Sequence, residues 1–425
     1  MSSAEVASSV QDSPTPEFCL AWLIMNSPQW VHRRVEALRM QENGKSRWHI
    51  SHDITLPEWS SIPGSKDRMI VPLGSVRKGA LKNVDTSGAG ASSLSILGAE
   101  DNGNYAVAML RMLAQSLLGE ELGGSARCRD VVTAVVRATT ESCDASTNEF
   151  SVWLADCLEL VADEDKGAEF DRSVDLFREF VLQFATTFLL LVEVNDNLAG
   201  TRCVIKYSRD DTAPEQSGIR SQQAAWEIPD YGFARSYHLE VEVPPGLVYK
   251  QLEIVEYGSN GTSTNRAVDA PSKPQVLAHL ACAPSERMAT AVAGLTLAPS
   301  RQGQYKVARF SVWITFAVAL AAWGSSLVPG VIVSDASGPV SAAVSLLLTG
   351  PALLLSWFSR SPEHEVVAWI MGPYRKMLLM SVLTLFLLAA SAAVPLVSPT
   401  KELVWFPVLF VQVRALGLSL RHTSS

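Results

Sequence analysis

Three short stretches of this chain carry side chains whose types could do chemistry. "WHISHD" (Trp48–Asp53) brings His49, Ser51, His52 and Asp53 together, the types that ligate metals or build a nucleophilic triad. "SPEHEVV" (Ser361–Val367) places Glu363, His364 and Glu365 side by side, an acid–base pair that also begins a zinc-binding H-E-x-x-H pattern. "GAGASS", from Gly88, starts like a glycine-rich phosphate cradle.

None of the three completes its pattern. Residues three apart on a strand point to opposite faces, so His49 and His52 cannot chelate one ion without a bulge. His49, Ser51 and Asp53 share a face but are strung out along it, too far apart for the contacts of a triad. The second histidine after His364-Glu365 is missing, since Ala368 stands there. The glycine run lacks its third glycine and the Lys or Arg of a phosphate loop. The sequence therefore predicts no catalytic residue, no cofactor and no metal. Glu363, His364 and Arg375 remain as weak candidates for an interface.

Six cysteines (Cys19, Cys128, Cys143, Cys157, Cys203 and Cys282) are scattered without a C-x-x-C pair. That spacing argues against a zinc ribbon or a redox motif and predicts reduced thiols in a cytoplasmic setting. The net charge of −8 hides an asymmetry: from residue 301 onward nine Lys/Arg face four Asp/Glu, which leaves 26 against 39 before it. An acidic head without basic clusters excludes a large nucleic-acid footprint.

The elements that must position these residues fall into three regions. Residues 1–29 form an N-terminal segment in which "FCLAWLIM" (Phe18–Met25) is too short, and too acidic before it, for a secretory signal. It is expected to be a buried helix or strand. From 30 to 300 a β-rich cytoplasmic region is expected, with a helical insertion at about 100–193. "VHRRVEALRM", "KSRWHISHDITL" and "RMIVPLGSV" read as strands before the insertion, and "DTSGAGASS" as an exposed loop. After it, "RCVIKYSR", "SYHLEVEVP", "YKQLEIVEYG", "PQVLAHLAC" and "ATAVAGLTLAP" return to strand character. The predicted fold class is α+β, an antiparallel sheet or sandwich with a helical insertion, followed by a C-terminal bundle of three to four transmembrane helices.

The bundle expectation rests on length. Spans are predicted at about 310–333, 338–358 and 377–397, each without an ionisable residue and long enough for a bilayer. The segment 403–420 contains Arg414, so it reads either as a fourth span with a snorkelling Arg or as a helix lying on the surface. Eight basic residues flank one side of these segments (Arg301, Lys306, Arg309, Arg360, Arg375, Lys376, Arg414, Arg421), and only Lys401 lies on the other. This bias places the acidic head in the cytoplasm and the chain in the plasma membrane. The charged interruption from Ser359 to Lys376 is then expected to be a cytoplasmic turn, with Trp369 and Tyr374 as headgroup anchors.

"SYHLEVEVPPGL" (Ser236–Leu247), "DITLP", "VPLGSVRKGAL" and "SPEHEVVAWIMGPYRKMLL" together resemble a group of uncharacterised multi-pass bacterial membrane proteins. The resemblance implies a cytoplasmic N-terminal sheet region and carries over no activity, cofactor or catalytic residue. The leading functional expectation is a non-enzymatic, membrane-anchored binding, sensing or scaffold protein. The expected partners are the lipid bilayer, a protein or small ligand at the cytoplasmic region, and a second copy through the spans. Two alternatives stand beside it: a small channel or pore-forming effector gated by the soluble region, and a membrane enzyme with an unrecognised site at Glu363 and His364.

Overall fold

The computed structural model describes residues 15–41, 45–58, 68–79, 82–88, 92–139, 141–161, 167–212, 215–216, 223–257, 263–273, 275–285, 290–300, 304–326, 349, 365–393, 406, 408–415 and 417. Glu363, His364, the predicted span 338–358 apart from residue 349, and residues 89–91 of "GAGASS" lie outside the described residues.

The chain enters through helix α1 (Pro16–Met25), started by Pro16 in its first turn and by the Thr15 hydroxyl, which accepts from the Phe18 N–H at 3.4 Å. One turn follows, α2 (Ser27–Trp30), and then β1 (Val31–Met40), β2 (Lys45–Thr55), β3 (Arg68–Arg77), β4 (Lys82–Ser87) and β5 (Ser95–Ile96). The helical stretch comprises α3 (Ala99–Leu118), α4 (Glu120–Gly123), α5 (Ala126–Val136), α6 (Cys143–Val161) and α7 (Ala168–Thr186). Thr187 turns the chain into β6 (Thr187–Asn195), so "FATTFLLLVEV" is helix up to Thr186 and strand from there on. Then come β7 (Arg202–Thr212), β8 (Glu215–Gln216), β9 (Gln223–Ile228), β10 (Tyr237–Glu242), β11 (Leu247–Tyr257), β12 (Ser263–Asp269), β13 (Leu277–Cys282) and β14 (Thr290–Pro299).

These strands form three sheets, ordered β13-β10-β1-β2-β7-β4, β12-β11-β14-β9-β8 and β3-β6-β5. The fold is α+β with antiparallel pairing throughout except at β1 and β10, which run parallel. Alternation explains the strands: on β10 Tyr237, Leu239 and Val241 are fully buried, while His238 and Glu240 face outward. Inward residues of the six- and five-stranded sheets, such as Ile50, Ile205, Leu252 and Leu295, share one apolar core. A second core, including Leu110, Val132, Phe150, Leu154 and Val181, holds the helices together. Helix α1 joins the two, giving Leu23 to the first and Leu20 and Ile24 to the second. Each such fully buried side chain contributes about 1.5–3 kcal/mol over its exposed state.

The expectation of an exposed loop at "DTSGAGASS" is corrected at its start. Asp85–Ser87 end β4, and buried Thr86 both donates to the Leu94 carbonyl at 2.7 Å and accepts from its N–H at 3.2 Å. A hydroxyl that bonds the backbone locally gives a polar sequence a strand-like anchor that apolar patterning cannot show.

Two further helices are long and apolar enough to cross a membrane, α8 (Gln304–Ser326) and α9 (Glu365–Ala393). Helical turns at 408–415 pack against both. The predicted cytoplasmic turn is also corrected. From Glu365 on it is the start of α9, and Val366 and Ile370 are buried in the β core, with Val367 and Trp369 packed beside them. Tyr374 is likewise buried among helices rather than held at a headgroup surface. The segment is apolar enough for either setting; the β core supplies the better contact. Pro373 lies inside α9 just past this docked part, where it removes the bond to the Trp369 carbonyl and marks a bend point.

Candidate functional site

Most buried positions of the β region are apolar, but one cluster is not. Arg34 and Glu36 on β1 are 3% and 4% exposed and form an ion pair through Arg34 Nη2 and Glu36 Oε1. Tyr237, the parallel-register partner of Arg34, donates its hydroxyl to Glu36 Oε2 at 2.8 Å. Arg34 Nη1 donates to the Asp230 carbonyl at 2.9 Å. Burial works against the Arg34 charge, yet Glu36, Tyr207, Tyr237 and Asp230 outweigh it and hold the guanidinium above its ordinary pKa. Burial, and then Glu36, push the Tyr237 phenol well above its ordinary value, so it stays a donor.

A bulge explains how two charged residues came to face inward. The β1–β2 register shifts between Val31 and Arg33, which turns Arg34, Glu36 and Leu38 toward the core together with Val31. His52 on β2 pairs directly with Arg34 and is completely buried. Its ring lies 6.0 Å from Tyr207 and edge-on to Phe233 at 6.2 Å. Burial first, and Arg34 second, drive its pKa far down, so the ring is neutral. Among the described residues, both ring nitrogens of His52 and Nε of Arg34 lack a hydrogen-bond partner.

Asp230 ties this cluster to the helical region. Its backbone is left-handed, with φ of 53°, a conformation that short polar Asp tolerates. Its carboxylate accepts from the Ser75 N–H and, at 3.0 Å, from Gln183 Nε2 on α7. Ser75 is free to donate because β3 bulges between Pro72 and Ser75. Gly74 sits in that bulge at φ of 126°, and a Cβ there would come 3.2 Å from Asp230 Oδ2. Asp230 thus joins β1, β3 and α7 through three different bonds.

The sequence candidates fall elsewhere. His49 is exposed and His52 buried, on opposite faces of β2 as strand geometry requires. Asp53 pairs with Arg202 at 2.6 Å, which holds its carboxyl below the ordinary range. Arg375 sits half-buried on α9, two residues beyond Pro373. Glu363 and His364 lie outside the described residues. Among the described residues no group of three His, Cys, Asp or Glu side chains could hold a metal.

Arg34, Glu36, Asp230 and Tyr237 were not singled out by the sequence. "VHRRVEALRM" puts apolar residues on both alternate faces, so its inward side could not be assigned.

The helices at the C-terminal end reverse the usual sorting. Phe310, Trp313, Phe386, Phe410 and Val413 are exposed, while Thr315, Ser381, Thr384 and Gln412 are buried. Cross-contacts order the bundle: Ala308 and Val312 meet Met371, Tyr374 and Ala415 at one end, and Ala319 meets Leu388 and Val408 at the other. α8 and α9 therefore run in the same direction and 408–415 runs against them. No protein-family model matches this chain, and none of the curated proteins compared with it is significantly similar.

Proposed function

We propose that this is a membrane-anchored binding or sensing protein whose acidic, β-rich region lies in the cytoplasm and is held against a multi-pass bundle in the plasma membrane. The observation that carries this reading is α9: Val366 and Ile370 belong to the β core, and the same helix continues into the apolar bundle. A tether would leave the head free. A shared helix makes displacement at the sheets felt among the spans.

Four features support the membrane setting. α8, with 23 residues, is about 35 Å long, enough for a hydrocarbon core of about 30 Å. Large apolar side chains point out of the bundle and polar ones point in. α8 and α9 are parallel, so the end of α8 and the start of α9 lie at opposite ends of the bundle. Lys306, Arg309, Arg375, Lys376 and Arg414 gather at the end nearest the β region, as the positive-inside bias requires.

The chemistry of the β cluster suits a sensing role better than catalysis. Its charged groups are sealed from solvent, and its orphaned donors mark a core sensitive to small displacements.

The test uses the full chain. Crosslinking in native membranes is expected to capture a partner through the region before residue 300, and alkaline carbonate is expected to leave the chain in the pellet. The Val366→Ala, Ile370→Ala double variant should stay in the pellet but exchange amide hydrogens faster across β14. Digestion of the head by protease added to intact cells, or release by carbonate, would defeat the proposal.

A second reading, a small channel or pore-forming effector gated by the soluble region, draws on the buried hydroxyl and amide cluster. Its test is conductance of the purified chain in planar bilayers.

A further inference from the structure

The polar cluster inside the bundle has an internal order. Thr315 donates its hydroxyl to the Ser311 carbonyl at 2.8 Å, and Thr384 donates to the Met380 carbonyl at 2.9 Å. Ser381 donates to the Met377 carbonyl at 3.1 Å. The shortest bonds these hydroxyls donate stay on their own helices. A longer contact of 3.4 Å runs from Thr315 Oγ1 to Ser381 Oγ across α8 and α9, and lone pairs are left to accept in the bundle interior. Gln412 fills that space, its Nε2 donating to Thr384 Oγ1 at 2.8 Å and Thr315 Oγ1 at 3.3 Å. With acceptors on that side, the amide nitrogen has to be the atom that faces them. Oε1 then points away and, among the described residues, has no partner.

The rest of the 408–415 helix holds on weakly. Its buried side chains are Val408, Gln412 and Ala415, while Leu409, Phe410, Val413 and Arg414 face outward. In lipid a small apolar contact gains little, because acyl chains solvate Val and Ala as well as a neighbouring helix does. Among the described residues, two hydrogen bonds from one amide, made in a medium without water, are the main specific attachment.

We infer that Gln412 is a polar latch which holds the 408–415 helix in the bundle between α8 and α9, and that this helix is the part of the membrane region able to detach. The inference rests on the membrane reading above. It also gives α9 something to act on, since Thr384 rides on the helix whose first turns belong to the β core. A shift of α9 that separates Thr384 from Thr315 cannot be followed by a single amide, so the latch opens.

The test is disulfide trapping in native membranes. All six native cysteines precede residue 283, so introduced pairs report on the bundle alone. Ala319→Cys with Val408→Cys probes one end of the short helix, and Ala308→Cys with Ala415→Cys probes the other. Gln412→Leu, which keeps bulk and removes both donors, is expected to lower trapping at both ends about fivefold, the scale of interhelical hydrogen bonds in membranes. Thr315→Val with Thr384→Val should do the same, and the triple variant should go no lower than either. Unchanged yields, a fall at one end only, or a Gln412→Leu effect that persists at full size without the two threonines would each overturn the latch. Release of the unsubstituted chain by carbonate would instead overturn the membrane reading on which it rests.

Discussion

Leu154 on α6 and Leu379 on α9 are both helical leucines, yet the first is 0% exposed and the second 59%. The same division runs through the aromatics. Phe150, Trp153, Phe177 and Phe184 are buried in the helical part of the head, whereas Phe310, Trp313, Phe386 and Phe410 stand on the outside of the bundle. The polar residues swap places accordingly, with Thr315, Ser381, Thr384 and Gln412 buried in the bundle. Helix propensity is alike in the two regions; on the membrane reading proposed above, the surrounding medium is what differs. Water drives apolar surface inward. Lipid gives no such drive, so packing and hydrogen bonds between helices decide what faces in.

The β region adds an exception within its own rule. Its water-excluding core contains an ion pair and a neutral histidine. Such a pair is costly to desolvate and more costly to break, because the survivor is left buried and uncompensated. Glu36→Ala, which leaves Arg34 without its carboxylate, is expected to destabilise the β region by about 3–5 kcal/mol. Hydrogen exchange of β1 and β10 in the full chain checks this. An effect no larger than that of a surface substitution would mean that the core admits water, and the contrast with the sealed helical core would fail.

Leucine truncation addresses the head–bundle contrast directly. Leu154→Ala should cost about 3 kcal/mol, since it empties a packed site. Leu379→Ala should change stability by less than about 0.5 kcal/mol, since on the membrane reading it removes surface that lipid already solvates. Thermal unfolding of the head and carbonate-resistant trapping of the bundle report the two separately. Equal losses would erase the distinction drawn here.

A further effect concerns pH. His52 has its folded pKa far below its ordinary value of 6.5 through burial and Arg34, so the folded state resists a proton that the unfolded chain accepts. Its contribution to stability is therefore complete above the ordinary value and is lost as pH falls below it. One unit below, the loss is about 1.4 kcal/mol. Hydrogen exchange of β2 at pH 7.5 and 5.5 should show it, and His52→Phe should flatten the difference. A variant with the unaltered pH response would place the titration elsewhere.

Much of this architecture was legible because it rests on local periodicity. Alternation marked β10, β11 and β14, the helical period marked α3 and α7, and the lengths of the apolar runs marked α8 and α9. The placement of His49 and His52 on opposite faces followed from strand geometry alone. β9 escaped because its apolar residues Ala224, Ala225, Trp226 and Ile228 do not alternate, and β12 because its polar, exposed face carries no apolar rhythm. The opening of "DTSGAGASS" escaped because a threonine hydroxyl, not a core contact, fixes it.

What the sequence determined by itself is therefore the inventory: most of the strands, the helices that are long and oily, and how unevenly charge is divided between the chain's two parts. Tertiary structure alone decided that Arg34 and Glu36 face inward, that Asp230 reaches Ser75 and Gln183, and that the first turns of α9 complete a β core instead of lying on a membrane. Periodicity is written in neighbouring residues and can be read from them. Tyr237, which donates to the buried Glu36 carboxylate, stands 201 residues from it, and only the packed chain brings the two together.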